Sequence, residues 1–177
     1  MSRGRSGSQA ACEDRDGALE KELLLSEIWK MGGKTEIDSS VAGGPVVAVD
    51  RTGTAANDSL MRRLTLFPKL RSLGLNETKV TDGGLEVLEE FSELDRLGLR
   101  GMGLTDRGME HVGDCARLRH VKNLMLLDVS DTQVSDAGIM KLATLENLQT
   151  LFVRGSRVTA AGAEALKKDL PGVRVAF

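Results

Sequence analysis

The residues of this chain that could carry chemistry are few, and their spacing fits no catalytic or metal-binding motif. The histidines are His111 and His120, the cysteines are Cys12 and Cys115, and one His and one Cys lie four residues apart. Such a pair supplies two ligands from one helix, whereas a zinc site needs further ligands that the sequence does not place nearby. No phosphate-binding glycine loop, nucleophile elbow or Ser/His/Asp set is present. We therefore predict no catalytic residue, no metal site and no cofactor, and we do not expect an enzyme.

An aspartate that recurs along the chain is the next candidate. Asp82, Asp106 and Asp136 each stand two residues before a glycine. Calcium requires a dense set of oxygen ligands, which the neighbouring residues do not offer. Each aspartate instead lies at a predicted helix start, where the helix dipole favours negative charge. The recurring glycines are small enough to let neighbouring segments approach. Both features are therefore predicted to be structural.

Internal repeats are the elements that would position any site. Four segments, beginning at Leu70, Leu94, Leu124 and Leu148, share the pattern L-x-x-L-x-L-x-x-(T/S/M)-x-(V/L)-(T/S), and a weaker copy precedes them. The L-x-L alternation predicts a short strand with one buried face. The apolar residues that follow are spaced by three, which predicts a helical turn. Since one strand and one helix cannot bury their own apolar edge, stacked copies are predicted.

This repeat core resembles that of leucine-rich repeats. The V-T-D-x-G-L continuation resembles the subtype abundant in planctomycete and related bacterial proteins, and it is similar to F-box-type and ribonuclease-inhibitor-like repeats. The resemblance covers residues 46–177. It implies a right-handed α/β solenoid with a parallel β-sheet on the concave face and short helices on the convex face. It also implies a non-catalytic module that binds another protein, with two alternatives: an inhibitor or regulator of one enzyme, or a structural component of a complex.

The repeats depart from the usual leucine-rich pattern at one turn position. Thr78, Thr132 and Ser156 replace the usual asparagine, and Met102 occupies the same position in the second unit. We expect the three hydroxyls to satisfy the turn backbone by hydrogen bonding. Methionine offers no such donor, so the ladder of bonds should be interrupted at that unit.

The ends of the chain differ in composition from the repeats. Residues 1–15 are polar and are predicted to be a disordered tail, and residues 16–45 are predicted to be an N-terminal cap of one helix and a strand. The helix should run from Asp16 to Met31, and its acidic polar face disfavours an alternative role on an anionic membrane. A hairpin is predicted between residues 34–38 and 46–50. Residues 46–177 then form an array of about five units with a closing strand at the C-terminal end.

The concave wall is the predicted binding surface, because residues flanking each buried L-x-L pair point to the other face of the sheet. Leucine and phenylalanine appear there without any demand from the fold, and arginines surround them, a composition that binding hot spots favour. The alternative is a wall that is simply solvated. The predicted contact residues are Arg96, Arg100, Leu126, Asp128, Phe152 and Arg154. A six-residue insertion on the convex side gives a second candidate surface: Arg117, Arg119 and Lys122.

Composition excludes other classes of partner. The net charge of -2 and pI of about 5.8 lack the positive field that nucleic acid binding requires. No run approaches the ~18 apolar residues of a membrane span, and residues 1–11 lack the apolar core of a signal peptide. Two unrelated cysteines favour a reducing compartment. We therefore expect a cytoplasmic monomer that binds neither nucleic acid nor membrane.

Overall fold

The computed structural model describes residues 8–40, 44–117 and 123–177, with side chains described at 17–40, 44–114 and 123–177. Strands and helices alternate along the chain after an N-terminal helix and hairpin. The strands are β1 (Lys34–Ile37), β2 (Val46–Asp50), β3 (Ser72–Gly74), β4 (Arg96–Gly98), β5 (Leu126–Asp128), β6 (Thr150–Phe152) and β7 (Arg174–Ala176). The α-helices are α1 (Ser8–Lys30), α2 (Asp58–Leu64), α3 (Asp106–Arg117), α4 (Asp136–Met140) and α5 (Ala160–Asp169). Two 3₁₀-helices, Asp82–Glu90 and Lys141–Thr144, complete the convex side.

The strands form one sheet in chain order from β1 to β7. β1 pairs antiparallel with β2, which is the predicted hairpin, and every later neighbour pairs parallel. The central leucines Leu73, Leu97, Leu127 and Leu151 are in register and almost fully buried. β7 is the predicted closing strand. The L-x-L pattern therefore determined the strand positions and their mutual register, and the mixed α/β repeat architecture is confirmed.

The N-terminal helix is longer than predicted. It begins at Ser8, eight positions before the expected start at Asp16, so the prediction of a disordered tail is wrong for residues 8–15. The segment after Ser8 contains Gln, Ala and Glu, which are good helix formers, and Gly17 interrupts them at a cost of about 1 kcal/mol without breaking the backbone hydrogen bonds. Residues 1–7 of the predicted tail lie outside the described part.

α1 packs on the array through a narrow inner face. Leu24 and Ile28 are fully buried in the same apolar core as the repeats. The Arg51 side chain is also buried and donates from Nη1 to the carbonyl oxygen of Ile28, 2.8 Å away, near the C-terminal end of α1. Burial lowers the pKa of Arg51, and the nearby charge of Glu27 opposes that shift. A cation at the negative end of the helix dipole is favourable, so Arg51 fastens α1 to the first coil.

Each recurring aspartate joins one coil to the next. Asp82 accepts hydrogen bonds from the backbone N and the Oγ1 of Thr105, at 3.0 and 2.6 Å. A Cβ added at Gly108 would lie 2.5 Å from Oδ1 of the same aspartate, so the glycine makes room for the carboxylate. The arrangement recurs along the described array, and we call it the inter-coil clasp: Asp58–Thr81–Gly84, Asp82–Thr105–Gly108, Asp106–Ser135–Gly138 and Asp136–Thr159–Gly162.

The turn hydroxyls act as predicted. Oγ1 of Thr78 and of Thr132 donates to the carbonyl oxygen three residues earlier, at 2.7 and 2.6 Å, and Oγ of Ser156 does the same at 2.6 Å. Met102 occupies this position in its coil and is buried as an apolar side chain. Its thioether has no proton to donate, so that coil lacks the side-chain bond that the other turns make.

Candidate functional site

The candidate site is the sheet face opposite the core, which we call the concave wall. Its columns follow from the strand register. Arg96 pairs with Leu126, and in the next column Asp128 pairs with Phe152. Arg100 and Arg154 are the second residues after the ends of β4 and β6. Since neighbouring strands lie about 4.8 Å apart, the six predicted residues occupy three consecutive strands and the turns that follow them.

Exposure distinguishes the six residues. Arg96, Arg100 and Arg154 are exposed, Leu126 and Asp128 are half-buried, and Phe152 is 37% exposed. Phe152 is therefore one of the few large apolar side chains on the described surface that the core does not cover. An exposed aromatic ring with an arginine two residues further along the chain is a composition that an interface favours.

The arginines of the wall differ in how they are held. Nε of Arg100 donates to Oδ2 of Asp131 at 2.9 Å, which fixes the guanidinium across one coil. Nε of Arg96 lies 3.6 Å from its neighbour Asp95. Within the described residues, Arg154 has no ion pair, so its guanidinium is available for an anionic group of a partner. Exposed pairs of this kind contribute little to stability, about 0–1 kcal/mol, so the fold does not depend on these arginines.

The concave wall ends at a turn that recurs in each coil. Glu77 and Asp131 have φ values of 56° and 55°, and Gly101 and Gly155 share the left-handed conformation. A Cβ at Gly155 would clash with Oδ1 of Asp131, and one at Gly101 would meet Cγ of Glu77, so each of these side chains lies over the glycine of the next coil. These residues form the rim of the wall, where the chain leaves the sheet.

A shallow groove of about 410 Å³ lies at the N-terminal half of the wall. Gly74 and Gly98 form its floor, Arg96 and Leu126 border it, and the hairpin adds charged residues that sequence reasoning did not assign to the site: Lys34, Glu36 and Asp50. The pairing of Lys34 with Asp50 continues the column of Gly74 and Gly98. Extending the period-two alternation of the repeats into the predicted hairpin would have placed these three charged residues on the same face of the sheet. The groove reaches two of the six predicted residues and leaves Phe152 and the other arginines beside it.

The second candidate surface falls largely outside the described residues. α3 ends at Arg117, whose side chain is not described, and Arg119 and Lys122 lie between the described ranges. The convex helix α3 has 12 residues, and its course is described as far as Arg117, within the insertion.

No group of three or more His, Cys, Asp or Glu side chains among the described residues could hold a metal ion. His111 is half-buried, and its Nε2 is enclosed without a described hydrogen-bond partner. None of the helices in the described part is long and apolar enough to cross a bilayer.

The parallel sheet, the one-strand-one-helix repeat and the stacked apolar core define a leucine-rich-repeat solenoid. A family model described as Leucine Rich repeat matches residues 121–143, which contain the third repeat unit. No curated protein sequence matches the chain.

Two similar solved structures share the fold at a TM-score of 0.50 or more. The LRR ectodomain of the receptor kinase SOBIR1 from Arabidopsis thaliana is 12% identical with a TM-score of 0.52, over 88% of this chain and 90% of that one. An internalin from Listeria monocytogenes is 16% identical with a TM-score of 0.50, over 64% of this chain and 30% of that one. A leucine-rich-repeat protein of Leptospira interrogans is 21% identical with a TM-score of 0.49, over 65% and 27% of the two chains. The aligned part of this chain thus spans less than a third of the two bacterial proteins.

Proposed function

We propose that this chain is a non-catalytic module that binds another protein through its concave wall. The leucine-rich-repeat fold supports an interaction role in general terms. The observation that carries the proposal is Phe152, an aromatic ring left exposed on the wall beside Arg154 and Asp128. The core needs none of these side chains, because the inward position of β6 is filled by Leu151.

The positions of the six predicted residues also favour one continuous contact patch. Arg96 and Arg100 belong to one coil, Leu126 and Asp128 to the next, and Phe152 and Arg154 to the one after. Two strand spacings separate the outer coils, or about 10 Å. A modest surface of a partner covers that distance, with an apolar centre and charged edges as in typical interfaces.

The test is the affinity for a partner captured from the source cell with the full chain as bait. Phe152→Ala should raise the Kd about 30-fold, because burying the ring in a partner pocket contributes about 2 kcal/mol. Met125→Ala is the matched control, since Met125 is 41% exposed and lies outside the wall columns. Arg100→Ala should also weaken binding, and Arg107→Ala on the convex α3 should not. Loss of binding in the Arg107 variant with none in the wall variants would reject the concave site.

The nature of the partner separates the two alternative roles. One enzyme bound at a fixed stoichiometry, with its activity suppressed in proportion, would indicate an inhibitor or regulator. Co-purification with several subunits, and no change in any activity, would indicate a structural component.

A further inference from the structure

The cap of the solenoid presents a second, outward apolar face. Of the eight large hydrophobic residues that are exposed in the described part of the chain, five lie between residues 19 and 37. They are Leu19, Leu23, Trp29, Met31 and Ile37, with exposed fractions from 43% to 59%. The residue types that normally fill a core are thus concentrated on one end of the molecule, away from the concave wall.

Helix α1 is apolar on two opposite sides. Leu24 and Ile28 are buried against the array. The spacing of three and four residues places another set on the opposite side. We call this set the outer face of α1: Leu19, Glu22, Leu23, Ser26, Trp29 and Lys30. A helix with apolar residues on both sides is typical of one that is covered on both sides, whereas a simple cap needs a polar exterior.

We propose that the outer face of α1 binds the same face of a second copy of this chain, with the two helices antiparallel. The charges on the face determine this choice of occupant. Glu22 lies four residues before Ser26 and Lys30 lies four residues after it. An antiparallel crossing at Ser26 therefore brings Glu22 of each copy level with Lys30 of the other, and it also brings Leu23 level with Trp29.

A parallel crossing lacks this complementarity. It would put Glu22 beside Glu22 and Lys30 beside Lys30, and like charges at such positions are destabilising. The small Ser26 at the crossing point lets the two helix axes approach, since interaxial distance depends on the side chains at the contact. A lipid surface fits less well, because the acidic residues Glu20 and Glu22 border the apolar side chains and would face anionic headgroups.

The size of the face predicts a weak dimer. From Leu19 to Lys30 the helix rises about 17 Å, which provides less than the roughly 800 Å² per partner of a standard interface. We therefore expect a dissociation constant in the micromolar range. This departs from the monomer that the sequence alone leads us to expect.

Sedimentation equilibrium of the full chain, from about 1 to 300 µM, tests the proposal across the expected range. The wild-type chain should shift from monomer to dimer with concentration. Leu23→Glu should raise the dissociation constant about 100-fold, because the symmetric contact loses two leucines at once. Met125→Glu is the matched control, since it places the same charge at an exposed apolar site elsewhere, and it should leave the dimer unchanged.

A charge exchange tests the antiparallel arrangement without altering composition. Glu22→Lys alone should weaken the dimer, and Glu22→Lys combined with Lys30→Glu should restore it. Because these positions are exposed, thermal melts of all variants should match the wild type, and the charge exchange decides the matter if Leu23→Glu does not fold. A chain that stays monomeric throughout, an unaffected Leu23→Glu dimer, or no restoration by the double exchange would overturn the proposal. Binding of a monomer to phosphatidylcholine vesicles through Leu23 would overturn it too, by assigning the face to lipid.

Discussion

The inter-coil clasp predicts that replacing a helical glycine by alanine destabilises the protein, which is the opposite of the usual effect. Gly→Ala within a helix ordinarily stabilises by about 1 kcal/mol, because alanine has the better helix propensity. Gly108 is the third residue of α3, and a Cβ there would lie 2.5 Å from Oδ1 of Asp82. Gly108→Ala must therefore displace the carboxylate, and we expect it to destabilise the chain.

The magnitude follows from the bonds that the carboxylate makes. Asp82 accepts two hydrogen bonds from Thr105, one from the backbone N and one from Oγ1. Bonds to a charged group contribute about 1.5–3 kcal/mol each, and this site is half-buried, so we take the lower end of that range for both. The expected loss is about 2–4 kcal/mol for Asp82→Ala, and Gly108→Ala should approach that value.

A double-mutant cycle isolates the contact. In the Asp82→Ala background the carboxylate is gone, and of the atoms nearest the added Cβ only Cδ1 of Leu85 remains, at 3.3 Å. Gly108→Ala should then be nearly neutral or stabilising, giving a coupling of about 2–4 kcal/mol. Urea denaturation followed by circular dichroism measures all four chains. A stabilising Gly108→Ala in the otherwise wild-type chain, or equal effects in both backgrounds, would refute the clasp.

Three further changes follow from single contacts. Arg51→Met should remove the hydrogen bond to the carbonyl oxygen of Ile28 and loosen α1. Amide hydrogen exchange in that helix should then be faster. Unchanged exchange would show that Arg51 does not hold α1 on the array. The side-chain hydrogen bond from Lys69, with the charges around it, lowers the pKa of Glu93. The Lys69–Glu93 pair therefore stabilises the fold at pH values above the ordinary pKa of glutamate. This stabilisation is lost as the pH falls through the lowered pKa of Glu93. For an exposed pair that loss is less than about 1 kcal/mol, and Glu93→Gln should flatten the acid limb of a stability–pH curve; an unaltered limb would contradict the assignment. Thr132→Val should cost about 1 kcal/mol in urea melts through its lost turn bond, and an unchanged midpoint would show that the hydroxyl is dispensable.

The parts of the fold that repeat were predictable because one physical constraint recurs. Leu97 and Leu127 pair in the structure because each unit must bury the same side of a short strand. A shift by one residue would have exposed every leucine. The closing strand β7 and the hairpin of β1 and β2 follow from the same alternation. The start of α1 could not be placed because Gly17 and the polar residues before it weaken a helical pattern without preventing a helix.

The predicted aspartate role was incomplete. The helix dipole explains an acid at position 82 or 106, but it does not predict that the carboxylate bonds to the next coil. The signal was present in the alignment, since each such aspartate is matched by a threonine or serine and a glycine one repeat later. The weak first unit hid one member, Asp58, which bonds to Thr81.

The sequence predicted which residues of the candidate site lie side by side on neighbouring strands, but not the shape of the surface that they form. The register of Arg96, Leu126 and Phe152 follows from the repeat alignment. The groove over Gly74 depends on hairpin side chains beyond the repeats, and the left-handed turn at Asp131 depends on backbone conformation. The recurrent glycine at the same position in other coils is the sequence signal for that turn.

Photo-crosslinking tests the binding surface most directly. A photoreactive phenylalanine analogue at position 152 of the full chain, and the same residue at position 107 on convex α3, would be irradiated with the captured partner. The concave-wall account predicts an adduct with the partner from position 152 and none from position 107. An adduct from position 107 alone, or equal yields from both positions, would contradict it.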